Sequence, residues 1–460
     1  MLYTEIVNKN NPYKKKKINL IETLNKDNNK VLLEKEAFYY YEQLKEYLKT
    51  IGINIVINEA YRSIEDQEKI VEEFKNIYDE EKLYKKVAVP GHSEHHTGLA
   101  IDIGLIFDKR EEEEENIKIR ESLYQEMHKH LSKFGFILRY PKGKEEITGY
   151  SYEPWHIRYV GKVPAKIIMN NNLTLEEYVN DFQGVLFINK EKNKTSFDIV
   201  NEISHLFGMK KVGHTGTLDP IAEGVLIVCL GKATKIVELL TAEDKEYIAK
   251  VELGYETDTY DNTGKVLKEK IVEENLPIEE IIKSYKKTYL QEVPIYSAVK
   301  VNGKKLYEYA RNNQKIECPK KEVTIKEIEL LEKNNNSFAI KTLVTKGCYI
   351  RSLIHDIGLS LNTYATMTSL IRTKQGNISI KDTNKLEDIR NNNFTIHKIE
   401  EVLEYPKIEL DEDNYKKVKN GMKIPNSFNI KDKVIFTYQN KIIGIYEKDN
   451  NILKVWKNFT

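Results

Sequence analysis

The 460-residue sequence predicts an α+β protein built in three parts. Three observations carry that reading. Strand-like and helix-like segments alternate without the regular spacing of βαβ units, which argues against a doubly wound parallel sheet. Near residue 180 the helical run LTLEEYVN (173–180) gives way to the apolar strand GVLFI. Beyond about residue 400 short alternating runs dominate (KVIFTY, KIIGIY and ILKVW), separated by polar turns. A prior of roughly 150 residues per domain fits the same division. The expected domains are 1–180, 181–400 and 401–460.

Composition narrows the function classes. The chain is 40% hydrophobic and 31% charged, which suits a folded protein and excludes a disordered or fibrous one. No run approaches the ~18 apolar residues of a membrane span, so no membrane partner is expected. The net charge is +1, divided as −3 over residues 1–180 and +4 over the rest. Such a balance excludes a histone-like binder. Three cysteines (Cys229, Cys318, Cys348) cannot build a disulfide framework and fit a reducing compartment. Lys14–Lys17 is followed by INLIETLNKDNNK, which lacks the apolar core of a secretory signal. The expected location is the cytoplasm, and the expected state a monomer.

Along the first domain, residues 34–50 have helical spacing at Ala37, Tyr40, Leu44 and Leu48, with Gly52 as the stop. INIVI (53–57) reads as a strand, 64–79 as an amphipathic helix, and 120–134 as another ending at Gly135. The Glu run at 111–115 reads as a solvated loop or helix start.

The segment 91–102, GHSEHHTGLAID, is dense in metal-ligand types. Leu99, Ile101 and Ile103 alternate with Ala100, Asp102 and Gly104, a strand with one bulky and one bare face. Gly98 can turn His95 back toward Asp102. Farther on, EPWH places Glu153 three residues before His156. Two imidazoles and a carboxylate would leave one tetrahedral position open, as in a catalytic zinc site. Three histidines in a loop also suit a polar surface, and both readings stand on the residues alone.

SEHHTGLAID and EPWHIRYVG, together with EAYRSIEDQ (59–67), resemble VanY-like D-alanyl-D-alanine carboxypeptidases over nearly the whole first domain. The resemblance implies zinc held by His95, Asp102 and His156, with Glu153 as general base and Arg62 stabilising the oxyanion. Ser93 and Gln67 fall at substrate contacts. His92 and His96 have no zinc role by this match, and Arg158 suits a structural one. The implied substrate is a D-Ala-terminated peptide or muropeptide, cleaved in D,D- or L,D-fashion. The family ordinarily acts outside the membrane, which conflicts with the missing signal.

From 211 the chain reads KVGHTGTLDP. Gly213 and Gly216 suggest a tight, close-approach loop. Asp219 precedes Pro220, which biases its backbone to an extended form, and Gly224–Leu230 reads as a buried strand behind it. An Asp-Pro in a Gly-rich loop also reads as a plain turn. The whole string resembles TruB-type tRNA pseudouridine synthases, and four further blocks follow in that family's order: DKEYIAKVELGYETDTYDNTG, VPIYSAVKVNGKKLYEYAR, KGCYIRSLIHDIG and SLIRTKQG. The resemblance implies a mixed sheet flanked by helices, with Asp219 as the catalytic aspartate that isomerises the T-loop uridine (uridine-55) in the T arm of tRNA, without metal or cofactor. It places Tyr247 on the target base, Arg351 on the aspartate, and Tyr349 and Leu370 on the flipped nucleotide. His214 falls where the uridine is extruded. Three positions depart from the pattern: Asn189-Lys190-Glu191, Glu223 and Ile371.

The last ~55 residues are similar to the small β-rich C-terminal domain of the same enzymes, related to RNA-binding PUA domains, and lysines at 300, 304, 305 and 315–321 suggest a local basic track. Three organisations fit the sequence: a bifunctional fusion, a synthase with a non-catalytic N-terminal module, or an artificial join of two reading frames. The complete ligand set and the intact Arg62 argue against the second.

Overall fold

In the computed structural model the first long helix runs from Lys35 to Thr50, and Glu34 caps it by accepting from the backbone N–H groups of Glu36 (2.8 Å) and Ala37 (3.1 Å). Its buried stripe is Ala37, Tyr41, Leu44 and Leu48. Tyr41 replaces the expected Tyr40, which is half-buried at the margin of the same core. The structure describes residues 3–77, 79, 83–84 and 87–460. The chain divides into two units, one of Met1–Gln183 with Glu202–Val212 and Ile389–Asn393, the other of the remaining residues. Among the described residues, no helix is long and apolar enough to cross a membrane.

In the first unit, β1 (Leu20–Leu24) and β2 (Lys30–Glu34) form a hairpin. Strands β3 (Asn54–Glu59), β4 (Ala100–Ile106), β5 (Phe136–Leu138) and β6 (His156–Tyr159) form an antiparallel sheet in the order β3-β4-β6-β5. Ile101 and Ile103 are fully buried on one face of β4, so Asp102 emerges on the other. In register, Asp102 is opposite His156 on β6 and opposite Glu59 on β3, beside a bulge between Ile57 and Glu59. The sheet thus sets two of the expected ligands side by side.

Two helices differ from expectation. The second covers Ile64–Lys75, and residue 78 of the expected span lies outside the described residues. The third begins earlier, at Glu113, because the acidic run supplies the negative charge that a helix N-terminus favours. It stops at His128, and a 3₁₀ turn at Leu131–Phe134 leads into Gly135 at φ 82°.

The second unit is built on a nine-stranded sheet. Its main path runs Thr288–Glu292, Lys320–Lys333, Ser337–Val344, Lys245–Leu253, Ala365–Gln375, Glu223–Gly231, Gln183–Lys190. Strand Ala365–Gln375 meets Glu223–Gly231 in parallel, through Ile371↔Glu223 and Arg372↔Gly224. Gly224 is the close-approach glycine: at φ +103°, an added Cβ would lie 2.2 Å from the Arg372 carbonyl oxygen. That moves the close approach away from Gly213 and Gly216, whose nearest neighbours would be 3.5 and 3.4 Å away, although Gly216 at φ +145° keeps the conformation that favours glycine in a tight loop.

Toward the C-terminus, Lys407–Glu409, Lys433–Tyr438, Lys441–Asp449, Ile452–Asn458 and Ile424–Pro425 form a separate five-stranded sheet. Ile435, Ile445 and Phe459 share one apolar cluster with Val185 and Ile227. The opposite side-chain layer, including Phe436, Tyr446 and Leu453, forms a second cluster.

Candidate active sites

His95 sits on a short 3₁₀ turn, Glu94–Thr97. The Ser93 hydroxyl caps it, accepting from the His95 N–H (3.3 Å), and Gly98 ends it at φ 68°. The turn delivers the ring to the sheet residues Asp102 and His156. His95 Nε2 lies 3.4 Å from Asp102 Oδ2, and His156 Nδ1 lies 3.0 Å from Asp102 Oδ1. One donor atom from each of the three lies within 4.8 Å of the others. His95 Nδ1–H donates to the Ala60 carbonyl (2.6 Å), which leaves Nε2 as the lone-pair nitrogen facing the cluster. Among the described residues, buried Asp102 Oδ1 has no hydrogen-bond partner. Two imidazole nitrogens and such a carboxylate oxygen are the donor set of a zinc site, and the residues fit that metal.

The three open onto a cavity of about 440 Å³ that also presents Ser93, Arg62, Glu153, Tyr140 and Trp155. Glu153 Oε2 is 3.7 Å from His156 Nδ1. Burial pushes the Glu153 carboxyl up to about 7, with the charges of Asp102 and Glu94 adding to the effect against those of His156 and Arg62. A carboxylate so tuned suits a general base near neutral pH. Arg62 is aimed by an ion pair with Glu59 and by Nη1 donating to Gln67 Oε1 (2.8 Å). Gln67 is fully buried, donates to the Ala88 carbonyl (2.8 Å), and stands behind Arg62, outside the cavity lining. His96 spans the Arg62 carbonyl (2.8 Å) and the Gly91 N–H (3.1 Å), and His92 meets the Asn8 carbonyl (2.9 Å). These two rings serve the backbone. Arg158 ties down the N-terminal segment through the carbonyls of Tyr3 and Glu5.

Sequence reasoning missed Glu94. Its side chain is fully buried, with Oε1 2.7 Å from both Arg139 Nε and Arg158 Nη1, and Oε2 3.6 Å from His156 Nε2. Burial alone would raise its carboxyl, but the two guanidinium groups hold it well below the usual range. Its position between Ser93 and His95 was the available signal, and the arginines lie too far along the chain to show by spacing.

In the second unit the Asp219 loop is pinned from several sides. The Ser196 hydroxyl accepts from the Leu218 N–H (2.9 Å). Lys190, fully buried, donates to the carbonyls of Lys194 (2.6 Å), Glu191 (2.9 Å) and Pro220 (3.4 Å). Arg351, in the first turn of the helix Ile350–Ser360, grips Asp219 with two parallel hydrogen bonds, Nε to Oδ2 (2.8 Å) and Nη2 to Oδ1 (3.0 Å). The guanidinium is itself fixed by the carbonyls of Thr259 and Tyr296, both at 3.1 Å.

A cavity of about 550 Å³ opens over this pair and is lined by Asp219, Tyr247, Tyr349, Arg351 and Leu370. Tyr247 stands on the strand Lys245–Leu253 in register with Arg372. Burial raises its hydroxyl pKa, while the charge of Arg372 pulls the other way. Arg372 is buried and donates to the carbonyls of Val225 (2.6 Å) and Gly216 (3.1 Å), tying the loop to the sheet. His214 lies outside this lining, where its Nδ1 accepts from the Gly216 N–H (3.3 Å). Of the expected basic track, Lys321 reaches the cavity, joined by Lys245 and Lys346, while Lys300, Lys304 and Lys305 belong to a small two-stranded turn. Asp261, 3.9 Å from Arg351 Nε, and Lys190 are further residues whose part was not read from the sequence.

The family described as D-alanyl-D-alanine carboxypeptidase matches residues 30–162. The TruB family pseudouridylate synthase N-terminal domain matches 204–350, and the tRNA pseudouridylate synthase B C-terminal domain matches 351–412. The tRNA pseudouridine synthase B of Fusobacterium nucleatum is 44% identical over 288 residues, covering 60% of this chain and 100% of that protein. That of Clostridium tetani is 44% identical over 276 residues, covering 58% and 93%. A solved structure of a vancomycin resistance D,D-pentapeptidase VanY in complex with Zn(II) is 32% identical, covering 39% of this chain and 99% of that one, with a TM-score of 0.33. The chain therefore belongs to the tRNA pseudouridine synthase B family and carries, ahead of the synthase, a VanY-type D-alanyl-D-alanine carboxypeptidase domain.

Proposed function

We propose that the chain is bifunctional, with a pseudouridine synthase acting on the T-loop uridine (uridine-55) of tRNA and a zinc carboxypeptidase acting on D-Ala-terminated peptides. The domain division goes with it: peptidase over 1–180, synthase over 181–400, and a small RNA-binding domain over 401–460.

The synthase reading is carried by the two-armed Asp219–Arg351 pair at the floor of a cavity wide enough for a flipped nucleotide. In this reading Asp219 attacks as the C1′–N1 glycosidic bond breaks, and the freed uracil turns and rejoins the ribose through C5. Tyr247 stacks on the base and assists removal of the C5 proton, while Tyr349 and Leu370 hold the flipped nucleotide. His214, outside the cavity, is assigned to base extrusion. Asp219→Asn keeps the volume and removes the charge. It should still bind tRNA but release no tritium from C5-labelled transcript, and turnover by this variant would refute the role.

The peptidase reading is carried by the convergence of His95, Asp102 and His156 around a buried, unpartnered carboxylate oxygen. When bound there, zinc supplies Lewis-acid activation of water and of the scissile carbonyl. Glu153 takes up the proton that the attacking water loses, Arg62 stabilises the developing oxyanion, and Ser93 contacts substrate at the cavity wall. Gln67 acts through Arg62. His95→Ala, Asp102→Ala and His156→Ala should each lose about one zinc per chain by metal analysis. Full retention in the His156 variant would sink the assignment. With tRNA as one substrate we place the protein in the cytosol, where muropeptides and peptidoglycan precursors are the available D-Ala-terminated peptides.

A further inference from the structure

The peptidase site contains a carboxylate that the ligand and base assignments leave unused. Glu94 has no exposed side-chain surface. Its Oε1 is shared by Arg139 and Arg158, and Arg139 reaches on to Glu176 with Nη1–Oε2 at 2.9 Å and Nη2–Oε1 at 2.5 Å. Among the described residues its Oε2 has no hydrogen-bond partner, and neither has His156 Nε2. Those two orphaned atoms face each other at 3.6 Å. The opposite ring nitrogen, Nδ1, is the one turned to Asp102.

A buried four-charge cluster is expensive to assemble, and a hydrophobic replacement of similar volume is often neutral or better. A neutral imidazole has one N–H and one lone pair, so whatever fixes the proton on one nitrogen fixes the lone pair on the other. We propose that Glu94 is a positioning residue for the metal site: it accepts the Nε2–H of His156, thereby presenting Nδ1 as the ligand atom, and Arg139 and Arg158 keep the carboxylate in place. His95 is oriented by the neutral Ala60 carbonyl, so the two imidazoles differ. The histidine backed by an anion is the more basic donor, since a second-shell carboxylate raises the basicity of a ligating histidine. This inference rests on the zinc reading proposed above.

The test uses the full chain. Zinc affinity is measured by competition with a chromophoric chelator for wild type and Glu94→Gln, which keeps the side-chain volume and removes the charge. A rise in Kd of about 10–100-fold is expected, the usual cost of losing a second-shell partner. The cobalt(II)-loaded wild type, read by paramagnetic proton NMR, should show two slowly exchanging imidazole N–H signals, one from each ligand histidine. The His156 signal should shift and exchange faster in Glu94→Gln. The wild-type spectrum decides the matter even if the variant does not fold: one protected imidazole N–H instead of two overturns the proposal. An unchanged Kd with an unchanged His156 signal in a folded variant overturns it as well, leaving the zinc site intact. A wild-type chain that binds neither metal overturns the zinc reading itself, and this proposal with it.

Discussion

Replacing Arg351 by lysine tests whether the synthase needs a positive charge or a fork. Arg351 makes four hydrogen bonds: two to Asp219 (2.8 and 3.0 Å) and one each to the carbonyls of Thr259 and Tyr296 (3.1 Å). Lysine keeps the charge as a single point on a flexible stem and cannot reproduce a planar, two-armed grip. It can serve one carboxylate oxygen, so the other arm is lost, at ~1.5–3 kcal/mol for a hydrogen bond to a charged group. One or both carbonyls also go unpaired, and the Asp219 loop loses a fixed point. Arg351 is nearly fully buried, so solvent does not repair its carbonyl contacts. The Asp219 side chain is 31% exposed and water can meet its freed oxygen, which holds that loss to the low end of the range. If ~3–4 kcal/mol of this interaction serves the positioned transition state, the single-turnover rate falls by ~10²–10³. Affinity for tRNA should change by less than about threefold, since phosphate contacts elsewhere dominate it. The assay is tritium release with enzyme in excess over C5-labelled tRNA, alongside filter binding. A rate within threefold of wild type, or a loss of affinity that accounts for the whole loss of rate, refutes the argument.

Three further outcomes are expected. Glu153→Gln should retain zinc yet hydrolyse acyl-D-Ala-D-Ala on the order of 10²-fold more slowly, so normal hydrolysis would remove Glu153 from the role of base. Gly224→Ala should destabilise the synthase unit by on the order of 2–5 kcal/mol, from a positive φ and a backbone clash, whereas Gly213→Ala, with its nearest neighbour at 3.5 Å, should cost under about 1 kcal/mol; equal melting temperatures for the two would contradict the strand junction. A zinc-selective chelator should abolish peptidase activity and leave pseudouridine formation within about twofold of the untreated rate, and parallel loss of both would join the two chemistries to one metal.

What the sequence revealed depended on how far apart the cooperating residues lie. The β4 alternation and the Gly98 turn are local, so the face carrying Asp102 was readable, and the sheet then set it opposite His156. Glu94 was in view but mute, because its meaning resides in Arg139, Arg158 and Glu176, which only tertiary packing brings to it. The glycine reading went astray for a related reason: a Gly-rich loop suggests close approach, yet which glycine meets another backbone is decided by a strand 148 positions later (Arg372 against Gly224). Lys190 drew notice as part of an altered motif, and the structure shows it closing three backbone carbonyls beneath the Asp219 loop. The other two departures, Glu223 and Ile371, are partners on one rung of the parallel junction. A pattern read position by position treats them as two changes, whereas the sheet makes them one contact.

The two centres solve opposite problems with the same side chain, an aspartate. Asp219 has both oxygens taken by one guanidinium, two of whose other N–H groups go to backbone carbonyls. Its negative charge is balanced by Arg351, and a cavity opens over the pair. Asp102 has a buried oxygen that accepts no hydrogen bond from the described residues and lies 3.0 Å from a ring nitrogen of His156, with His95 at the other oxygen. A buried unpaired carboxylate oxygen is costly unless something else completes it, and the imidazoles beside it cannot do so while they present lone pairs. In the reading proposed above, the arginine grip goes with the aspartate that acts on its own, and the oxygen between two imidazoles with the one that acts through a metal. The distinction is drawn by the neighbouring donors rather than by the aspartates themselves.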